Sequence, residues 1–437
     1  MSLYHQHLQT LVARHNDACD QFQLNSIVLH SGSLTYYAGD DNSHPFRALP
    51  AAQQWLPYNL PPETWIVFSK ETGLSLYWPA KQDFWHVMPV EPQGDWTKDW
   101  RVIAAKDASW LKQLEGNVAL FSNQVNPSSL PDHIQLNPEP LMKWLDYDRA
   151  YKTEWEIENT RLANQIAAQG HFAAQEAFLT GLSEYDIHMA YLRATDQQQI
   201  DEPYGSIVAL NEAAAVLHYE NKRIEPLHPA LTLLIDAGAK VNGYASDITR
   251  TFTAPGTLFD QLRQEVEIYQ KRLVAACTIG TPYPNIHDMA LQFAAETLQK
   301  TGICMLSTEE QLSKKIPQAF FPHGIGHLLG LQVHDVGGFQ ESRLGNNIPR
   351  PEHAPFLRLM RPLDDGMIVT IEPGLYFIPM LLENLVASTP DHGCDLKLIN
   401  ELKPYGGIRI EDNVVIRKEG PINLTRSSFA EIGRTIE

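Results

Sequence analysis

The sequence predicts an α+β protein in two parts: a smaller α/β domain over residues 1–150 and a larger mixed domain over 151–437. Three observations predict this. Short β-branched runs recur along the chain and are joined largely by hairpins, which argues against a doubly wound sheet. A capping-box pattern, Thr153 with Glu156, opens a long helix after a boundary near 146–153. The length of 437 residues, with 43% hydrophobic and 20% charged residues, fits two or three folding units with full cores.

In chain order, residues 3–22 read as a helix and SIVLHSG as a strand. GDDNSHPFRALPAAQQWLPYNLPP is rich in proline and turn residues and reads as loop. TWIVFS, LSLYWPA and NVALFS are further strands, with a helical piece, KDASWLKQL, among them. The helix opened by Thr153 stops at Gly181, and Ser183 with Asp186 opens another. GSIVAL, AVLHYE, LTLLIDAG and YASDITRTF read as strands, followed by two helices between about 258 and 301. LQVHDVG, MIVTIEPGLYF and GGIRIEDNVVI complete the strand-like segments.

Charge excludes some function classes. Lys and Arg total 34 against 52 Asp and Glu, a formal charge of −18. A phosphate backbone or an anionic membrane needs a basic face, so neither is expected as a partner. The N-terminal residues lack the basic flank and apolar run of a secretory signal. No run approaches the ~18 apolar residues of a membrane span. Cys19, Cys277, Cys304 and Cys394 are scattered without a CxxC pair, which argues for small buried thiols in a reducing compartment, the cytoplasm.

Three acids stand in apolar surroundings: Asp236 in LTLLIDAG, Glu372 in MIVTIEPG and Glu411 in GGIRIEDNVVI. An ionised carboxylate removed from water needs a cation or donors. One could pair with an arginine; three in separate strands, with Asp247 and His327 nearby in sequence, call for a divalent metal. LTLLIDAGAKVNGYASDITRTF reads as a hairpin turning around Lys240 to Gly243. A four-residue turn places Asp236 opposite Asp247. A two-residue turn at Asn242-Gly243 places Asp236 opposite Thr249 and diagonal to Asp247. Both registers put the two aspartates on one face. Strand alternation likewise puts Arg409 beside Glu411. His323 and His327 lie in the glycine-rich FPHGIGHLLG, with His334 beyond, and this is not the HExxH zinc pattern. One histidine among four carboxylates is a hard, oxygen-rich set that favours manganese or a similar ion.

IDAGAKVNGYASDITRTF, FPHGIGHLLGLQVHDVGG, TIEPGLYF and PYGGIRIEDNVVI together resemble the creatinase/aminopeptidase "pita-bread" metallopeptidases. HSGSLTYYAGDDNSHPF and QDFWHVMPVEP narrow the likeness to the bacterial Xaa-Pro dipeptidase (prolidase) branch that includes organophosphorus acid anhydrolase. The resemblance spans nearly the whole chain. It implies a pita-bread catalytic domain with two divalent ions, most often Mn2+, held by Asp236, Asp247, His327, Glu372 and Glu411, of which Asp247 and Glu411 bridge. Two such ions make a water acidic and polarise the scissile carbonyl. A metal-bound carboxylate beside that water is within reach of its proton, which makes Glu372 the candidate shuttle, and His323 and His334 resemble the family's histidines that position the substrate and steady the oxyanion. Arg409 and His218 would hold the carboxylate of a C-terminal proline. Tyr204, Leu217, Val333 and Leu357 would line substrate pockets. Asp41 and Tyr283 would come across a dimer interface, in a homodimer or dimer of dimers. Leu328 stands where the branch often has a second histidine, which implies altered packing and intact chemistry.

The substrates expected are Xaa-Pro dipeptides. Three other readings compete: an aminopeptidase P acting on longer peptides, hydrolysis of organophosphorus triesters or fluoridates as a side activity, and a non-catalytic module on the same fold. The last predicts broken ligands, and the set is intact.

Overall fold

The computed structural model describes residues 1–82 and 84–433; Asp83, within QDFWHVMPVEP, lies outside the described residues. Ser26–His30 (β1), Trp65–Ser69 (β2), Gly73–Pro79 (β3), Arg101–Ala105 (β4), Val118–Phe121 (β5) and Ile134–Leu136 (β6) build one sheet in the order β4-β3-β2-β1-β5-β6. β1 is buried at all five positions, as a central strand covered on both faces must be. The helix Leu3–Phe22 packs on this sheet through Tyr4, Leu8, Leu11 and Ala18, spaced to share one helical face. KDASWLKQL forms only a single tight turn, Ser109–Gln113, and not the expected helix. So short a run cannot repay helix nucleation, and Trp110 instead stacks on Tyr77 with ring centroids 3.7 Å apart.

The capping box at Thr153 is present as predicted: Glu156 accepts from the Thr153 N–H at 2.8 Å and opens the helix Glu154–Leu179. Glu156 is buried and also accepts from Gln54 and from the Tyr244 hydroxyl. His7 reaches the Thr153 hydroxyl at 2.8 Å, and Trp155 and Tyr244 complete the apolar cluster under the N-terminal sheet. The two parts therefore share a packed junction.

Beyond the junction, Ile207–Leu210 (β7), Thr232–Asp236 (β8), Lys240–Val241 (β9), Tyr244–Ala245 (β10) and Thr249–Thr253 (β11) carry the first half of the site. Asp236 pairs with Thr249 and Val241 with Tyr244, so the two-residue turn is the one adopted. Asn242 and Gly243 both have positive φ (50° and 88°), the conformation of a primed hairpin turn. Ile368–Ile371 (β12), Gly374–Tyr376 (β13), Gly407–Arg409 (β14), Asp412–Val415 (β15) and Ile422–Asn423 (β16) carry the second half. β12 pairs with β15 and β13 with β14, and a bridge between Thr249 and Glu411 joins the two halves.

Two expected strands do not form. AVLHYE follows a tight turn, Asn211–Ala215, because Asn211 sits at φ 55° and its amide is bonded to Pro229, Leu231 and Thr232. LQVHDVG runs as bends, because Asp335 is drawn inward by Arg149 and Lys152 and its N–H is bonded to the Leu328 carbonyl. Among the described residues no helix is long and apolar enough to cross a membrane.

Candidate functional site

The site lies on the seam between the two halves. Asp236 ends β8, Asp247 lies just before β11, Glu372 interrupts the run from β12 to β13, and Glu411 sits between β14 and β15. Donor atoms of Asp247, His327 and Glu411 lie within 4.8 Å of one another, and all three residues are buried. The His327 Nε2 is 3.4 Å from Asp247 and 3.7 Å from Glu372. Its Nδ1 faces the Leu328 carbonyl at 2.9 Å, so with the proton on Nδ1 the Nε2 lone pair points at the carboxylates, as in metal-ligating histidines. Gly326 makes this placement possible: its φ is +149°, and a Cβ there would stand 2.2 Å from the Thr370 carbonyl.

Electrostatics match an excess of negative charge. Burial, then Asp247, Glu372 and Asp236, push Glu411 well above the carboxylate range. Burial raises Glu372 to about 7, against the lowering pull of His327. Burial and Asp247 outweigh Arg409 and raise Asp236. Burial alone would raise Asp247, but its hydrogen bond and charge pairing with His327 pull it down. The same pairing raises His327 although burial opposes it. Four buried carboxylates with one arginine and one histidine need more positive charge than the chain provides, and the oxygen-rich donor set suits hard divalent cations.

Asp236 stands slightly apart from the closest cluster. Its Oδ1 accepts from the Tyr204 hydroxyl at 2.8 Å and its Oδ2 from Arg409 Nη2 at 2.7 Å. Arg409 also donates to the Tyr376 hydroxyl at 2.9 Å and, through Nε, to Thr249 Oγ1 at 3.1 Å. Thr249 in turn donates to Glu411 at 2.7 Å. Parity thus does place Arg409 by Glu411, but every guanidinium nitrogen has a partner within the chain. These bonds use three of its five N–H groups and position Asp236 and Tyr376, and Arg409 also lines the smaller of the two cavities on the seam.

Tyr376 carries the network on to His323, whose Nε2 lies 2.8 Å from the hydroxyl and whose Nδ1 faces the Gly324 carbonyl. Burial, reinforced by Arg409, lowers His323 to about 3. His334 packs edge-on against His327 at 4.4 Å, and burial followed by His327 lowers it to about 4. Both rings are neutral near pH 7.

Two adjoining cavities of about 880 and 450 Å³ open on the seam and share Ile207, His218, Asp236, Asp247 and His334. Tyr204 and Val333 line the larger and Leu217 the smaller. Leu357 does not line either: it is fully buried in the core beneath Gly324, because the chain there turns Phe356 and Arg358 outward instead. Tyr283 is also corrected. It is fully buried within its own chain and donates to the Thr370 carbonyl at 2.8 Å, so it has no surface to present to a second copy. Asp41 sits on an exposed loop and lines neither cavity.

Sequence reasoning missed Arg358, Tyr376 and Thr249. Arg358 is exposed in the smaller cavity and forms no salt bridge among the described residues. Tyr376 stands in the quoted TIEPGLYF segment, where alternation from Glu372 through Gly374 would have found it.

Residues 158–418 match the description "Metallopeptidase family M24", and residues 2–147 match "Xaa-Pro dipeptidase, N-terminal domain". The chain is 42% identical over 437 residues to an Xaa-Pro dipeptidase of Xanthomonas oryzae pv. oryzae, covering 98% of each. It is 40% identical over 432 residues to an Xaa-Pro dipeptidase of Stenotrophomonas maltophilia, again covering 98% of each. Its fold is similar to that of E. coli aminopeptidase P with the inhibitor Pro-Leu, with a TM-score of 0.74 and 23% identity, covering 98% of this chain and 96% of that one. Proline aminopeptidase P II from Yersinia pestis is similar at TM-score 0.72 and 23% identity, covering 98% and 97%.

Proposed function

This chain belongs to metallopeptidase family M24, and from that premise we propose that it is an Xaa-Pro dipeptidase using two divalent cations, Mn2+ in the cell. The observation that carries the reading is the convergence of Asp247, His327 and Glu411 on the seam, flanked by Asp236 and Glu372, in a chain similar over its full length to Xaa-Pro dipeptidases.

Asp236, Asp247, His327, Glu372 and Glu411 would hold the cations, which supply an acidified water and a polarised carbonyl. Glu372, beside the cluster and within reach of the attacking water, accepts its proton and returns it to the proline nitrogen as the peptide bond breaks. Neutral His334 donates to the carbonyl oxygen as it gains charge, while His323, whose ring nitrogens face the Gly324 carbonyl and the Tyr376 hydroxyl, positions that hydroxyl beside the site. The substrate carboxylate meets Arg358, an exposed guanidinium of the smaller cavity, and the adjoining ring of His218. Tyr204, Leu217 and Val333 shape the room for the residue before proline.

Residues 1–150 act as the gating and dimerisation unit of a homodimer or dimer of dimers, with 151–437 as the catalytic unit. Phe46 and Arg47 at the mouth of the larger cavity support the gating role, and the exposed loop carrying Asp41 suits delivery of that carboxylate to a second copy near the substrate amine. The same seam faces a tetrahedral phosphorus centre as readily as a tetrahedral carbon, so hydrolysis of organophosphorus triesters or fluoridates is a side activity. The acidic surface and the prolidase likeness support a cytoplasmic setting.

The test is a panel of Leu-Pro, Leu-Leu, Arg-Pro-Pro and an aryl phosphotriester, assayed after chelation and add-back of Mn, Co, Zn and Mg. Leu-Pro cleavage that requires metal and outpaces Arg-Pro-Pro is expected. Activity that survives complete chelation would sink the reading, and preference for Arg-Pro-Pro would reassign the chain to aminopeptidase P.

A further inference from the structure

The four cysteines look scattered in sequence, yet the fold brings two of them face to face. Cys304, just beyond the helix Tyr283–Lys300, and Cys394, just before the helix Leu396–Leu402, are direct partners in an antiparallel bridge. The backbone bonds flank the pair and do not run between its members: Met305 donates to the Gly393 carbonyl at 2.8 Å, and Asp395 donates to the Ile303 carbonyl at 2.9 Å. That pattern defines a non-hydrogen-bonded pair, whose Cα atoms stand about 4.5 Å apart. This separation falls inside the window a disulfide needs, roughly 4.4–6.8 Å. The side chains of such a pair project from the same side of the ladder, so the sulfurs meet without movement of the backbone.

The thiols do meet. Both face the same acceptor, the His392 carbonyl, at 3.5 Å. The contact with Cys394 draws the Cys304 thiol down to about 7 and raises Cys394, so the pair holds one proton between its two sulfurs. Access is one-sided. Cys304 is fully buried, whereas Cys394 is partly exposed. Cys19 and Cys277 are buried singly, and burial raises both thiols.

We propose that Cys304 and Cys394 are an oxidation site that closes reversibly into a disulfide with a hydroperoxide as oxidant. With the pair's remaining proton on Cys304, the Cys394 thiolate attacks the peroxide, the O–O bond breaks, and Cys394 becomes a sulfenic acid as the departing oxygen takes a proton from water and leaves as alcohol or water. The Cys304 sulfur then attacks the sulfenic sulfur, the S–O bond breaks, and water leaves. Overall two thiols and one hydroperoxide give one disulfide, one alcohol and one water, and a dithiol reductant reverses the bond.

The bond would close a loop from 304 to 394 that contains His323, His327, His334 and Glu372 of the proposed site. It also pins the end of the stretch after Tyr376, where Ile378, Met380 and Leu381 line the smaller cavity. Because the pair already has disulfide spacing, the bond leaves the cavity in place. It acts as a staple that raises the melting temperature on the order of 2–5 °C.

The test uses the full chain, treated with a few equivalents of hydrogen peroxide or with dithiothreitol. Intact mass and tryptic peptides are then measured after alkylation under denaturing conditions. The expected result is one cross-link joining the peptides that carry Cys304 and Cys394, a loss of two hydrogens, a raised melting temperature and reversal by dithiothreitol. Cys394→Ser, a partly exposed and isosteric change, should abolish both the cross-link and the rise. The inference is overturned if both cysteines stay alkylatable, if peroxide stops at sulfinic acid on Cys394, or if the cross-link forms without a rise in melting temperature. None of these outcomes depends on the substrate, so the inference stands or falls apart from the peptidase reading.

Discussion

Arg409→Lys separates positioning from substrate binding. Lysine keeps the charge beside Asp236 but replaces a three-point fork with one ammonium. Arg409 now meets Asp236 at 2.7 Å, Tyr376 at 2.9 Å and Thr249 at 3.1 Å, and a single ammonium can keep only part of that set. Keeping the charge matters, because its loss would strengthen the pull of the carboxylates on a cation and mask the orientation effect. Losing a group that orients a ligand costs about 10- to 100-fold in metal affinity, or roughly 1.4–2.7 kcal/mol. Calorimetric titration of Mn2+ into chelated protein should show this loss. With Mn2+ saturating, KM for Leu-Pro should stay within about threefold of wild type, since the bonds the fork makes go to Asp236, Tyr376 and Thr249. An unchanged Mn2+ affinity with KM raised tenfold or more would refute the reasoning and restore the role expected from sequence, a clamp on the substrate carboxylate.

Glu372→Gln removes the proton carrier while keeping shape, and kcat for Leu-Pro should fall at least 100-fold; near-normal turnover at saturating metal would reject the assignment. Asp335→Asn leaves Arg149 and Lys152, both nearly inaccessible, without their shared counter-charge. Breaking such a buried set costs about 3–5 kcal/mol, readable as a lower urea midpoint, and an unchanged midpoint would contradict the pairing. His171 is fully buried, and burial lowers it to about 3 from the ordinary histidine value of about 6.5. The unfolded chain therefore binds its proton first. The stability it contributes is complete above pH 6.5 and is lost as pH falls toward 3, by about 1.4 kcal/mol per unit. His171→Asn should flatten the acid limb of a stability–pH curve between those values, and an equally steep limb would contradict this.

The sequence by itself determined the elements whose cause is local. The Thr153 capping box, the helix periodicity after it and the Asn242-Gly243 turn depend only on neighbouring residues, and each is found where its pattern stands. Strand alternation was enough to put Asp236 and Asp247 on one face, and the turn chemistry then chose between the two registers. The candidate ligands were legible for a similar reason, since a carboxylate inside an apolar run advertises a compensating partner. What the sequence could not determine was what that partner is for each side chain. Arg409 belongs to Asp236 and Tyr376, Tyr283 belongs to its own core, and Leu357 lies under Gly324, because packing across elements distant in sequence spends their donors and surfaces. The segment LQVHDVG has a strand's composition and still bends, since the buried attraction of Arg149 and Lys152 for Asp335 outweighs a modest strand preference. Cys304 and Cys394 are likewise separate in the chain, and only the ladder that pairs them makes their chemistry visible.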